Sequence, residues 1–82
     1  MIVYNTTIGG YTLSMESEAK KFGKNLKRIR TEKGITQGDI VRALGMDRAF
    51  VSNIENGKAN PTLATITKLA KFLGISSDGL LK

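Results

Sequence analysis

From residue 15 onward, apolar residues return every three or four positions, the spacing of helices that each turn one face to a core. The first such segment runs from about Glu16 to Lys33. Ala19, Phe22, Leu26 and Ile29 fall within an arc of about 80° at 100° per residue. Lys20, Lys21, Lys24, Lys27 and Arg28 take the other side, and Arg30 breaks the segregation because it borders the apolar stripe. Gly34 is placed to end this helix in a left-handed conformation.

Three further helices follow the same logic of caps and glycines. Thr36 can cap the second, with Asp39 at the capping-box position, and Gln37 to Leu44 would bury Ile40, Val41 and Leu44 before Gly45 stops it. Asp47 can cap the third, with Met46 and Val51 forming a hydrophobic staple, and Asn56-Gly57 closes it. After the extended step imposed by Asn60-Pro61, Thr62 opens a fourth helix through Leu73. Its expected stripe is Leu63, Ile66, Leu69, Ala70 and Leu73, and Gly74 stops it. Ser76 or Ser77 caps a short fifth helix carrying Leu80 and Leu81. Residues 1–14 obey different rules. Ile2-Val3-Tyr4 and Tyr11-Thr12-Leu13 flank Gly9-Gly10, which suits a two-residue hairpin turn. A lone hairpin is marginal in water, so this segment is either a β extension or a flexible leader. The expected architecture is all-α, a compact five-helix domain over 15–82 with an N-terminal extension over 1–14.

Composition narrows what such a domain can do. The chain has 82 residues and neither Cys nor His. Disulfide scaffolds, Cys/His zinc sites and every mechanism with a His base or a Cys nucleophile are therefore excluded. No metal site, cofactor or catalytic residue is expected. No apolar run approaches the ~18 residues of a membrane span, and the N-terminus shows no signal-peptide pattern. The expectation is a soluble cytoplasmic protein with no membrane partner. The net charge is +6, and it is uneven: residues 1–14 carry none, whereas residues 15–34 carry seven positive and three negative groups. A basic surface on structured segments points to a polyanion.

The second and third helices are separated only by Gly45 and Met46, so they must cross steeply, as in a helix-turn-helix. On the third helix, Arg48, Ala49, Ser52, Asn53 and Asn56 fall within an arc of about 140°, and Phe50, Val51 and Ile54 lie opposite. One side is oily; the other carries guanidinium, hydroxyl and carboxamide groups. The rod is about 13 Å long at 1.5 Å per residue, comparable to the ~12 Å width of the DNA major groove. Arg offers a fork matched to guanine O6/N7, Asn can read adenine N6/N7, and the Ala49 methyl can lie against a thymine methyl.

The stretch Thr36 to Gly57, TQGDIVRALGMDRAFVSNIENG, resembles the helix-turn-helix of the Cro/C1-type (Xre-like) repressors of bacteria and phages. The likeness runs from about Phe22 to Leu81 and is carried jointly by Arg30, Thr36-Gln37, Gly45, Val51 with Ile54, Glu55-Asn56-Gly57 and Pro61. It implies a lambda-repressor-like domain that binds double-stranded DNA as a homodimer on a palindromic operator. By that resemblance Arg48, Ala49, Ser52 and Asn53 face the bases. Thr36, Gln37, Asn56 and Lys58 touch phosphates, and Arg30 pairs with Glu55 inside the domain. Asp47 to Ser52 is also similar to controller proteins of restriction–modification systems. Two departures stand out: Val41 where the family commonly has a small residue, and Gly38 in the second helix, which costs about 1 kcal/mol relative to Ala. Phe72, Ile75, Leu80 and Leu81 offer more apolar surface than one thin domain needs, which makes them the expected dimer interface. The competing function is an antitoxin that binds a toxin protein and regulates its own operon.

Overall fold

Hydroxyl caps open four of the five helices. A computed structural model describes residues 4–8, 11–15 and 17–81. Its helices are α1 (Glu18–Glu32), α2 (Gln37–Leu44), α3 (Arg48–Glu55), α4 (Leu63–Leu73) and α5 (Ser77–Leu81), preceded by strands β1 (Tyr4–Ile8) and β2 (Tyr11–Met15). Ser17 accepts from the Lys20 N–H at 3.2 Å, Thr36 from Asp39 at 3.0 Å, Thr62 from Thr65 at 3.2 Å and Ser76 from Gly79 at 3.1 Å. Each bond satisfies one of the N–H groups that a helix start leaves without a partner. At α2 the capping box is complete, because the Asp39 carboxylate in turn accepts from the Thr36 N–H at 2.8 Å. Asp47 holds the extended cap conformation at α3, but its side chain makes no capping bond. The sequence expectation for α1 began two residues early and ended one late, since Ser17 supplies the N-cap and Lys33 the C-cap.

The strands form an antiparallel hairpin with Tyr4 opposite Met15 and Ile8 opposite Tyr11. The expected strands and turn fall partly on Ile2, Val3, Gly9 and Gly10, which lie outside the described residues; the pairing itself extends two residues further, to Met15.

All five helices feed one core. Phe22, Leu26 and Ile29 come from α1, Ile40 from α2, Val51 and Ile54 from α3, Leu69, Ala70 and Leu73 from α4, and Leu80 from α5. Leu26, Ile40, Val51, Ile54, Leu69 and Leu80 are fully enclosed, and each contributes about 1.5–3 kcal/mol relative to an exposed side chain. Val41, Leu44, Met46 and Phe50 pack around the margin. Leu63 departs from the expected stripe of α4: it is 73% exposed. It is the first residue of the helix. Leu80 departs in the other direction. It is completely buried, and its backbone carbonyl accepts from the Asn25 carboxamide on α1 at 3.3 Å, so α5 is tied into the domain through it.

Two glycines set the geometry around α3. Gly45 takes φ of 64°, which lets the chain turn within three residues, Gly45 to Asp47, from α2 into α3. Gly23 is buried in the middle of α1, where a Cβ would stand 2.3 Å from the Ile54 carbonyl oxygen and 2.6 Å from that of Glu55. The absent side chain allows α1 to lie backbone against backbone on the C-terminal turn of α3.

Candidate nucleic-acid interface

Val51 and Ile54 have no exposed surface and pin α3 to the domain from behind. Arg48, Ala49 and Asn53 are exposed on its outer side, and Ser52 between them is half-buried. The Asn56 carboxamide donates to the Ser52 hydroxyl at 3.4 Å, which ties the end of this surface to its middle. Lys58 is exposed just beyond, and its backbone N–H is held by the Asn53 carbonyl at 2.8 Å. Arg48, Ala49, Ser52, Asn53, Asn56 and Lys58 are thereby brought onto one continuous surface.

Beneath it lies an ion pair that joins α1 to α3. Arg30 donates from Nε to Glu55 Oε2 at 2.6 Å and from Nη2 to Oε1 at 3.0 Å. Its Nη1 donates to the Ile35 carbonyl at 2.9 Å. The Glu55 side chain is 2% exposed and that of Arg30 13%. The hydrogen bond to Glu55 raises the Arg30 pKa above its already high ordinary value, and burial opposes that shift only in part. A fork-to-carboxylate pair of this kind is strong and geometrically demanding, so it fixes α1 against the end of α3.

Gln37 joins the same network: its Nε2 donates to Glu55 Oε1 at 2.9 Å. The family resemblance implies that Gln37 touches a phosphate. The structure places its amide against a buried carboxylate and leaves it half-buried at the start of α2. One amide hydrogen remains for a second acceptor. Thr36 is exposed, and its oxygen accepts the capping bond from Asp39, so its own hydroxyl hydrogen stays available. The Thr36 backbone N–H, followed by the Thr36 hydroxyl and Arg42, holds the Asp39 carboxyl below its ordinary value. Arg42 pairs with it at 2.7 Å.

Gly38 carries a role that propensity alone conceals. A Cβ there would meet Arg48 Nη2 at 2.8 Å and Arg42 Nη1 at 3.2 Å. The Arg48 guanidinium therefore lies across the first turn of α2, in space that only a missing side chain provides. No periodicity signals this, because the two residues sit on different helices.

Residues 26–80 match the sequence profile of the family described as helix-turn-helix. The chain belongs to the helix-turn-helix family. This helix-turn-helix protein is 48% identical over 61 residues to the SPbeta prophage-derived HTH-type transcriptional regulator YonR of Bacillus subtilis (strain 168), a match covering 74% of this chain and 56% of that protein. The chain thus spans little more than half the length of that relative. It is 39% identical over 61 residues to the control protein C.MunI of a Mycoplasma species, covering 73% of this chain and 82% of the relative. Among solved structures it is similar to the restriction-modification controller protein C.AhdI from Aeromonas hydrophila. The TM-score is 0.74 at 37% identity, over 79% of this chain and 98% of that one. The Xre-like resemblance carried by Thr36 to Gly57 agrees with these relatives. Among the described residues no helix is long and apolar enough to cross a membrane.

Proposed function

We propose that this helix-turn-helix protein is a sequence-specific transcription regulator that binds double-stranded DNA as a homodimer on a palindromic operator. The observation that carries the reading is α3: a short helix anchored by the fully enclosed Val51 and Ile54, with Arg48, Ala49 and Asn53 exposed on its far side. Its eight residues span about 12 Å at 1.5 Å per residue, a rod that fits across the major groove.

Arg48 and Asn53 would select bases, with Ser52 and the Ala49 methyl adding contacts between them. The start of α2 would clamp a phosphate with its first backbone N–H groups, the Thr36 hydroxyl hydrogen and the remaining Gln37 amide hydrogen. Because the Gln37 amide is braced by Glu55, it would reach the phosphate already oriented. Asn56 and Lys58 would hold the backbone beyond α3. Such contacts set register while the base contacts specify sequence. No catalytic step and no cofactor enter this mechanism.

The dimer surface would be built from Phe72, Ile75 and Leu81. Phe72 and Ile75 are partly buried against the core, and Leu81 is 45% exposed. Leu80, enclosed in its own domain, would support this surface from beneath instead of forming it. Two α3 helices about 34 Å apart would enter successive major grooves. The similarity to HTH-type transcriptional regulators and to controller proteins supports this reading.

Selection of bound sequences from random duplex DNA tests it. The expected result is an inverted repeat of two short half-sites whose centres lie about one helical turn apart. A recovered pool with no shared motif would refute sequence-specific binding, and a single half-site would refute the dimer.

A further inference from the structure

We propose that Lys20, Lys24 and Lys27 on α1 form a second, sequence-independent grip on the duplex, binding backbone phosphates that flank the base pairs read by α3. The inference rests on the DNA-binding reading above and assigns to it a surface outside the helix-turn-helix.

The three lysines recur at intervals of four and three, so they fall within an arc of about 60° and extend over about 10 Å of helix. All three are exposed. At a rise of about 3.4 Å per phosphate along one strand, a row of that length can meet two or three successive phosphates.

What puts this row beside the reading helix is the close approach at Gly23, one residue before Lys24, where the α1 backbone lies against the Ile54 and Glu55 carbonyls. One turn earlier, Lys20 packs against Gly57, where a Cβ would stand 3.0 Å from the Lys20 Cα. Lys20, Lys24 and Lys27 consequently line one concavity together with Glu55 and Asn56. Asn56 is bonded to Ser52, so the concavity ends beside the polar side of α3 that the proposed function sets against the bases. A duplex seated on α3 would have its backbone leaving along this ledge.

The row is densely cationic: the helical neighbours of Lys24 at three and four residues on either side are Lys20, Lys21, Lys27 and Arg28. Like charges at these spacings destabilise a helix. A polyanion along the row relieves that repulsion, and a duplex presents phosphates along its length to do so.

The test compares wild type, K24Q/K27Q and K68Q/K71Q, the last a control of equal charge change on exposed α4 positions. Each is titrated with the selected operator and with a random duplex of equal length over a range of KCl concentrations. With a slope of about −0.9 per neutralised phosphate, K24Q/K27Q is expected to show a salt dependence shallower by about 2 per protomer. Its ratio of operator to random affinity should be unchanged, and the control should match wild type. Wild type on progressively shortened operators provides a measurement independent of any variant's folding: the slope should drop once the duplex ends inside the flank. An unchanged slope in K24Q/K27Q overturns the proposal, whether or not its unfolding temperature moves, as does a slope insensitive to duplex length. A changed operator-to-random ratio overturns the sequence-independent role. A wild-type protein that binds no duplex overturns the regulator reading as well, whereas specific binding with equal slopes in all three proteins overturns only this one.

Discussion

Replacing Gly23 by alanine sets two effects of opposite sign against each other. In an exposed helix interior, Gly→Ala gains about 1 kcal/mol from helix propensity. At Gly23 the added methyl would stand 2.3, 2.6 and 2.9 Å from the Ile54 oxygen, the Glu55 oxygen and the Glu55 carbonyl carbon, all backbone atoms of α3. No side chain can rotate away, so the helices must separate by roughly an ångström to restore ordinary contact distances. Overpacking of this kind costs about 1–3 kcal/mol, and the backbone nature of the clash puts it at the upper end. The same separation pulls Glu55 away from the 2.6 Å contact with Arg30. The net expectation is a loss of about 2 kcal/mol, a large share of the ~5–15 kcal/mol stability of a small domain. Thermal unfolding followed by far-ultraviolet circular dichroism should show a midpoint lowered by about 8–16 °C, at about 4–8 °C per kcal/mol for a domain of this size. A midpoint raised by about 4 °C or more is what propensity alone would give. It would show that α1 and α3 do not meet at this point.

Glu55→Ala should destabilise folding by about 3–5 kcal/mol, because it strands a mostly buried guanidinium; a change below about 1 kcal/mol in urea denaturation would mean that solvent reaches the pair. Arg48→Ala should weaken operator binding by about 1–3 kcal/mol and relax preference at one base pair. A uniform loss across all sequences, read by the same selection, would place Arg48 on a phosphate instead. Gly38→Ala should separate stability from recognition. The methyl displaces only side-chain ends, chiefly that of Arg48 and to a lesser degree that of Arg42, so the unfolding midpoint should rise by up to the value of about 1 kcal/mol in propensity, while preference at the Arg48 base pair shifts. An unaltered operator preference would show that Arg48 does not act from this position. Asp39 has a folded pKa below its unfolded one, so its capping contribution is complete above the ordinary aspartate value of about 3.9 and is lost as pH falls through the lower folded value. An NMR titration in which the Asp39 carboxyl protonates at or above the ordinary value would contradict the capping-box geometry.

Much of the architecture is written locally. The capping box of Thr36 with Asp39 was legible because its two partners are three residues apart and bond only to each other's backbone. The two faces of α3 were legible because helical periodicity alone separates Val51 and Ile54 from Arg48 and Asn53. Asp47 shows the limit of this reasoning. Its residue type and position suit a cap, yet its side chain makes no capping bond, and Thr36, Thr62 and Ser76 cap without it as a model for them. The stripe of α4 fails at Leu63 for a related reason: periodicity tells which direction a residue faces and not how far along the helix the neighbouring body extends.

The order of local spacings in the sequence determined five helices, the tight turn between α2 and α3, and the polar face that α3 turns away from its anchors. Those features depend on contacts within a few residues, where helical period and hydrogen-bonding side chains act without reference to the rest of the chain. The tertiary structure alone decided that Gly23 is the seat of α3, that Gln37 braces Glu55, that Gly38 makes room for Arg48, and that Leu80 belongs to the core. Each of these joins residues at least ten positions apart, and such contacts follow from how close two packed backbones come, a distance that no local pattern encodes.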